Sequence, residues 1–155
     1  MAVICNGREP TIYGTPKNDN IIGTMAPDVI ASLGGNDTVR ASLRNDTICG
    51  GPGHDIIRGG LGNDIIYAEA GNDFVQAGRG NDTIYSGLGN DEVAGELGDD
   101  NLINDKTSSD NYPAATLYGH ISTTKPAPRK RRIAATVRSA RKLNAGDLRS
   151  LSRTV

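Results

Sequence analysis

Aspartate recurs at every ninth residue, ten times, in this chain of 155: Asp19, Asp28, Asp37, Asp46, Asp55, Asp64, Asp73, Asp82, Asp91 and Asp100. Carboxylates kept in such a register can shape turns, each bonding its own local backbone. They can also act together as oxygen ligands for a hard cation. The residues around them favour the cation. Two places before the aspartate stands glycine in seven cases, Gly35, Gly53, Gly62, Gly71, Gly80, Gly89 and Gly98, and four places before it stand Gly51, Gly60, Gly78 and Gly87. Glycine reaches positive φ without steric cost, and asparagine, which fills the place before the aspartate in seven of the ten cases, is the next most tolerant residue there. Such a backbone can add carbonyl oxygens to the carboxylates, and six to eight oxygens is what Ca²⁺ accepts, whereas Mg²⁺ demands a smaller and stricter octahedron.

Other chemistries lack their residues. The chain has no His-Glu-x-x-His, no Gly-x-Ser-x-Gly and no P-loop, so no catalytic residues are assigned and no small-molecule substrate is expected. Cys5 and Cys49 with His54 and His120 fit no zinc-ligand spacing. His54 takes the place where asparagine usually stands and reads as a turn residue.

The elements that must position the aspartates follow from the same period. Ten units run without insertion from Gly14 to Ile103, beginning at Gly14, Gly23, Ser32, Ala41, Gly50, Gly59, Ala68, Ala77, Ser86 and Gly95, and the clearest reads Gly59-Gly60-Leu61-Gly62-Asn63-Asp64-Ile65-Ile66-Tyr67. The eighth position is always aliphatic: Ile21, Ile30, Val39, Ile48, Ile57, Ile66, Val75, Ile84, Val93 and Leu102. One such residue per unit predicts a single thin interior. Positions one to six read as a tight turn. Positions seven to nine, rich in Ile, Val, Thr and Tyr, read as a short strand with position eight inward.

The motif Gly-Gly-x-Gly-x-Asp-x-U-x across residues 14–103 resembles the RTX (repeats-in-toxin, haemolysin-type) calcium-binding nonapeptide. Cys5 to Tyr13 reads as a degenerate unit ending in Thr11-Ile12-Tyr13, and the stretch from Cys5 through Thr24 resembles the opening of actinobacterial secreted members of that family. The resemblance implies an all-β fold, a right-handed parallel β-roll with two nonapeptides per coil, each unit stacking on the next but one. One edge would then carry Asp19, Asp37, Asp55, Asp73 and Asp91, and the other Asp28, Asp46, Asp64, Asp82 and Asp100. With strands ~4.8 Å apart the carboxylates would repel unless Ca²⁺ sat between turns. Lys17 and Arg44 at fourth positions, and Ala26-Pro27 in place of Gly-Asn, are expected to resist the glycine backbone. The best sites are therefore expected between Asp37 and Asp55, Asp55 and Asp73, Asp73 and Asp91, Asp64 and Asp82, and Asp82 and Asp100, with Asp19, Asp28 and Asp46 weaker. Glu69 and Glu96, at second positions, read as solvated surface.

Charge divides the chain. Residues 1–103 carry 15 acidic against 6 basic residues and residues 104–155 carry 3 against 11, a balance of −9 against +8. The sequence reads as an N-terminal cap over 1–13, the roll over 14–103, a linker over 104–128 and a basic tail over 129–155. The tail holds Arg129-Lys130-Arg131-Arg132 and a short amphipathic pattern through Ile133, Val137, Ala140 and Leu143, suited to an anionic surface or polymer. Apart from that tail, the competing reading is an adhesive module using calcium as scaffold. The seventh positions, which mix Asn20, Thr38, Ile56, Phe74 and Glu92, are too varied for a lattice-matching face.

No apolar run approaches the roughly 20 residues of a membrane span, and no signal peptide is visible. Cys5 and Cys49 are compatible either with one disulfide in an exported protein or with two unpaired thiols. Weak calcium sites of the extracellular class, at about 10⁻⁴ to 10⁻³ M, point to a secreted protein that folds outside the cell.

Overall fold

The computed structural model describes residues 3–104 and 116–118. The residues described are built entirely from short parallel strands, without a helix. Strands β1 (Ile12–Tyr13), β3 (Val29–Ala31), β5 (Thr47–Cys49), β7 (Ile65–Tyr67), β9 (Thr83–Tyr85) and β11 (Asn101–Ile103) form one six-stranded sheet. Strands β2 (Asn20–Ile22), β4 (Thr38–Leu43), β6 (Ile56–Leu61), β8 (Phe74–Arg79), β10 (Glu92–Leu97) and β12 (Thr116–Tyr118) form the other. The chain alternates between them, making a β-solenoid in which each strand pairs with the strand two units away.

The nine-residue pattern causes this architecture. A residue paired 18 positions on is two units away, so like stacks on like: Ile30 on Ile48, Ile48 on Ile66, Ile66 on Ile84 in one sheet, and Val39 on Ile57, Ile57 on Val75, Val75 on Val93 in the other. The strands are paired in parallel, and residues alternate between faces with a period of two. The eighth-position side chains therefore meet between the sheets as one core cluster, from Ile21 to Val93, with Ile12 and Leu102 packed at its ends. First positions are small throughout, and Ala41, Ala68 and Ala77 join that cluster. A Cβ on Gly59 or Gly95 would run into the carboxylate of Asp64 or Asp100, and one on Gly23 into the Ala41 carbonyl of the next coil.

The two sheets differ in a way the repeat does not announce. Strands β4, β6, β8 and β10 run for six residues, through the first three positions of the following unit, with Ser42 paired to Gly60, Gly60 to Gly78 and Gly78 to Glu96. In the sheet of β5, β7 and β9 each strand stops after three residues, and only the isolated bridges Pro52 to Ala70 and Ala70 to Leu88 continue the pairing. The reading of positions one to six as turn is thus corrected, for the first three positions, in four of the ten units. Coil-on-coil pairing satisfies the backbone there.

At the N-terminus Cys5 and Arg8 close a small antiparallel bridge, and Cys5 is joined to Cys49 by a disulfide with Cα atoms 5.8 Å apart. The segment lies on the outer face of β3 and β5, where Cys5, Val29, Ala31 and Cys49 form a second cluster with Val3, Leu33 and Tyr67 around it. The Arg8 guanidinium donates to Thr47 Oγ1 at 3.2 Å. Just beyond the cover, Tyr67 and Tyr85 stack with ring centroids 4.6 Å apart. Strand β12 falls inside the stretch read from sequence as a linker and pairs with β10, Val93 opposite Leu117. The basic run and its amphipathic pattern lie outside the described residues.

Candidate metal centres

Each unit lifts its aspartate onto a turn, and the turns fall into two classes by backbone conformation. From residue 32 onward every turn has positive φ at both its second and fourth positions. The second positions are Leu33, Ser42, Gly51, Gly60, Glu69, Gly78, Gly87 and Glu96; the fourth are Gly35, Arg44, Gly53, Gly62, Gly71, Gly80, Gly89 and Gly98. The first two turns, with Thr15 and Lys17 and with Thr24 and Ala26, have positive φ at neither. Leu33, Ser42, Arg44, Glu69 and Glu96 are L-residues held where only glycine is comfortable, at a cost of about 1–3 kcal/mol each. Stored strain of this kind accompanies sites whose geometry the rest of the structure dictates.

Arg44 corrects an expectation. It takes φ 79° and its turn matches its neighbours, so a large side chain at the fourth position did not prevent the glycine-like backbone. Lys17 and Ala26 do depart from it. Ala26 has a clear local reason, because the residue before a proline is confined to extended conformations.

Stacking makes glycine compulsory higher in each column. A Cβ on Gly71 would overlap the carbonyl oxygen of Gly53, one on Gly89 that of Gly71, one on Gly80 that of Gly62 and one on Gly98 that of Gly80. The fourth-position carbonyl oxygen of one coil thus lies against the fourth-position Cα of the next. Carbonyl oxygens crowd the space between successive turns.

Each aspartate folds back on its own turn, so that a Cβ on first-position Gly50, Gly59 or Gly95 would meet Oδ2 of Asp55, Asp64 or Asp100. Asp37, Asp46, Asp55, Asp64, Asp73, Asp82, Asp91 and Asp100 are buried, none more than 5 % exposed. Within each column Oδ1 accepts the backbone N–H of the aspartate one coil earlier: Asp37 N–H to Asp55 Oδ1 at 2.8 Å, Asp55 to Asp73 at 2.9 Å, Asp46 to Asp64 at 2.9 Å, Asp64 to Asp82 at 2.8 Å and Asp82 to Asp100 at 2.9 Å. The second oxygen, Oδ2, of Asp37, Asp46, Asp55, Asp64, Asp73, Asp82 and Asp100 is buried and accepts no hydrogen bond. An unsatisfied buried charge is expensive, and a row of them calls for a positive counterpart. Burial pushes the carboxyls of Asp46, Asp55 and Asp82 up to about 6 and those of Asp64 and Asp73 up to about 7, with like charges in the column adding to the rise and the backbone N–H bond opposing it. Burial raises Asp37 too, with the neighbouring Asp19 charge adding to the rise and its backbone bond opposing it.

The donor set fits calcium. Among the described residues no three carboxylate, imidazole or thiol side chains converge, so a metal between two turns would have to complete its shell with backbone carbonyls. That is ligation by hard oxygen alone, which suits Ca²⁺ and not the nitrogen and sulfur preferences of Zn²⁺. The eight positive-φ turns give three intervals in each column. One column holds Asp37–Asp55, Asp55–Asp73 and Asp73–Asp91; the other holds Asp46–Asp64, Asp64–Asp82 and Asp82–Asp100. Of the glycines singled out from the sequence, Gly35, Gly51, Gly53, Gly60, Gly62, Gly71, Gly78, Gly80, Gly87, Gly89 and Gly98 all adopt positive φ in these turns.

Two features escaped the sequence reading. The fifth-position asparagines form a ladder of opposite polarity, each Oδ1 accepting the N–H of the residue 18 positions later: Asn36 from His54 at 2.9 Å, Asn63 from Asn81 at 2.8 Å and Asn72 from Asn90 at 2.9 Å. His54 keeps the ladder intact, its Nδ1 accepting the Asn72 N–H at 2.8 Å, which places the ring proton on Nε2. Sevenfold asparagine at one position was the available signal. The other feature is the first coil, where Asp19 and Asp28 are satisfied from within. Asp19 Oδ2 accepts the Thr15 N–H at 2.6 Å and hydroxyl at 2.9 Å, and Asp28 Oδ2 accepts the Thr24 N–H at 2.6 Å and hydroxyl at 3.0 Å.

No curated protein and no solved structure matches the chain significantly. The family model for the RTX calcium-binding nonapeptide repeat matches four times, over residues 13–48, 32–66, 40–75 and 67–102. Those matches span the units whose turns carry the buried aspartates and cover more than half of the chain. The chain belongs to the RTX calcium-binding nonapeptide repeat family.

Proposed function

We propose that this chain is an extracellular calcium-binding repeat protein whose roll forms when Ca²⁺ enters the intervals between stacked turns. The observation that carries the reading is the row of buried Oδ2 atoms without a partner, set among crowded carbonyl oxygens. In this reading Asp37, Asp55, Asp73 and Asp91 serve one column and Asp46, Asp64, Asp82 and Asp100 the other, with glycine-turn carbonyls completing each shell. Asp46 ranks with the rest because Arg44 allows its turn the same backbone. Without the ion, the ionised carboxylates would repel along each column inside a core only one aliphatic residue wide, so folding and binding are coupled. Among the described residues, the polar groups that converge in the roll are assigned in this reading as ligands and backbone, and no catalytic role is proposed for them.

The extracellular location is supported by the disulfide, which persists in oxidising compartments, and by the usual setting of this family. Sites built largely from carbonyls and shared carboxylates belong to the weaker class, matched to extracellular calcium rather than to the cytosol. Residues 14–103 are the binding unit in this proposal, 1–13 its cap, 104–128 a connector and 129–155 a basic segment for anionic surfaces or polymers.

The test is far-UV circular dichroism of the purified chain during a CaCl₂ titration, with MgCl₂ as control. Conversion from a disordered to a β-rich spectrum with calcium alone is the expected result. A spectrum indifferent to calcium would refute the proposal.

A further inference from the structure

The first coil differs from all later ones in how it treats its carboxylates. Thr15 and Thr24 stand at the second position of their turns, and each gives both its N–H and its hydroxyl to Oδ2 of the aspartate four residues on, at 2.6 and 2.9 Å for Asp19 and 2.6 and 3.0 Å for Asp28. In every later turn the second-position residue has positive φ. A β-branched residue is a genuine outlier there, and neither threonine adopts it. The fourth positions agree, since Lys17 and Ala26 are also outside the left-handed region and Ala26 is held out of it by Pro27. Thr11 adds a further donor, its hydroxyl lying 3.3 Å from Asp28 Oδ1.

We propose that Thr15 and Thr24 set the N-terminal limit of the calcium array. Their donors occupy the carboxylate oxygen that a metal would need, so Asp19 and Asp28 close the first coil without an ion. The inference rests on the calcium reading of the later turns and adds which aspartates are excluded from it. The pattern matches a requirement of solenoids, whose terminal units must be satisfied without a neighbour on one side. A metal-free coil also gives the first calcium interval a preformed floor, since Asp37 and Asp46 already accept the backbone N–H groups of Asp19 and Asp28, each at 2.8 Å. The neighbouring strands β3 and β5 are covered by the segment that the disulfide ties down, so the calcium-independent part of the roll is gathered at one end.

Native mass spectrometry of the full chain at saturating calcium counts the ions. Three proteins are compared: wild type, the double variant Asp19→Asn/Asp28→Asn, and Asp64→Asn, which borders two intervals. The expected result is the same count in wild type and the double variant, with about two fewer ions in Asp64→Asn. Circular dichroism in calcium checks that each variant is folded. Loss of one or two ions from a folded double variant would overturn the inference and leave the calcium reading standing. Absence of calcium from the wild type would overturn both. A second pair, Thr15→Val and Thr24→Val, keeps the branched side chain and the charge but removes the hydroxyl donors. Made together, they should retain the wild-type count while raising the calcium concentration needed for folding; an unchanged midpoint would count against the inference.

Discussion

Two alanine substitutions separate the packing of the turns from the general flexibility of glycine. Gly71 has φ +151°, and a Cβ there would overlap the Gly53 carbonyl oxygen one coil below. Gly34 lies outside the left-handed region, and a Cβ there would meet only the Pro52 carbonyl oxygen at 3.6 Å, an ordinary contact. In Gly71→Ala the backbone strain costs about 1–3 kcal/mol. Relief of the overlap requires the two coils to part, at the expense of bonds between them such as Gly53 N–H to the Ala70 carbonyl, now 2.8 Å, worth about 0.5–1.5 kcal/mol each. A total of roughly 3–5 kcal/mol follows. If six ions bind with folding, that penalty is spread over six logarithms of calcium concentration and raises the folding midpoint about two- to fourfold. Gly34→Ala should leave the midpoint unchanged or slightly lower, because alanine restricts the unfolded chain more than glycine does. Calcium titrations followed by circular dichroism give both numbers on one scale. Equal midpoints for the two variants would refute the argument that the carbonyl ladder dictates where glycine must stand.

Three further outcomes follow from the same geometry. The raised carboxyls of the columns stabilise the metal-free fold below their ordinary value of 3.8, and that contribution is lost as pH rises through about 6 to 7. Calcium takes the ionised form, so lowering the pH from about 8 to about 5.5 should raise the calcium midpoint; titrations at the two pH values that coincide would contradict the burial of these groups. The Cys5–Cys49 bridge closes a separation of 44 residues, for which chain entropy gives a contribution of about 4 kcal/mol. Cys5→Ser/Cys49→Ser should therefore shift the calcium midpoint up by about threefold, and the wild type in reductant should follow it; no shift in either would mean the loop is already ordered without the bond. His54→Asn should leave thermal stability in calcium unchanged because the side-chain ladder survives, whereas His54→Leu should cost up to about 1 kcal/mol by removing the acceptor of the Asn72 N–H. Equal melting temperatures for the two would show that water replaces the ring nitrogen without loss.

Much of the architecture was legible in the sequence because one rule, period nine with an aliphatic eighth position, fixes both the strand faces and the pairing. Ile30, Ile48, Ile66 and Ile84 in one sheet and Val39, Ile57 and Val75 in the other pair as that rule requires. What escaped it depends on contacts between coils. Arg44, Leu33 and Glu69 look unfit for positive φ by their own preferences, yet the stacked backbone imposes it. Thr15 and Thr24 resemble other polar turn residues until the distance to Asp19 and Asp28 is known. The unequal strand lengths of the two sheets have no counterpart in a repeat that reads alike on both sides. Strand β12 was hidden for a different reason: Thr116 pairs with Glu92, a separation of 24 residues that breaks the period.

The pairing also dictates how such a chain can change its length over evolutionary time. Gain or loss of eighteen residues adds or removes a full coil and returns every later unit to its own sheet and its own column. Gain or loss of nine would exchange the sheets for everything downstream, setting the extended six-residue segments of β6, β8 and β10 against neighbours that stop after three. Internal duplication should therefore be tolerated in pairs of units and resisted singly.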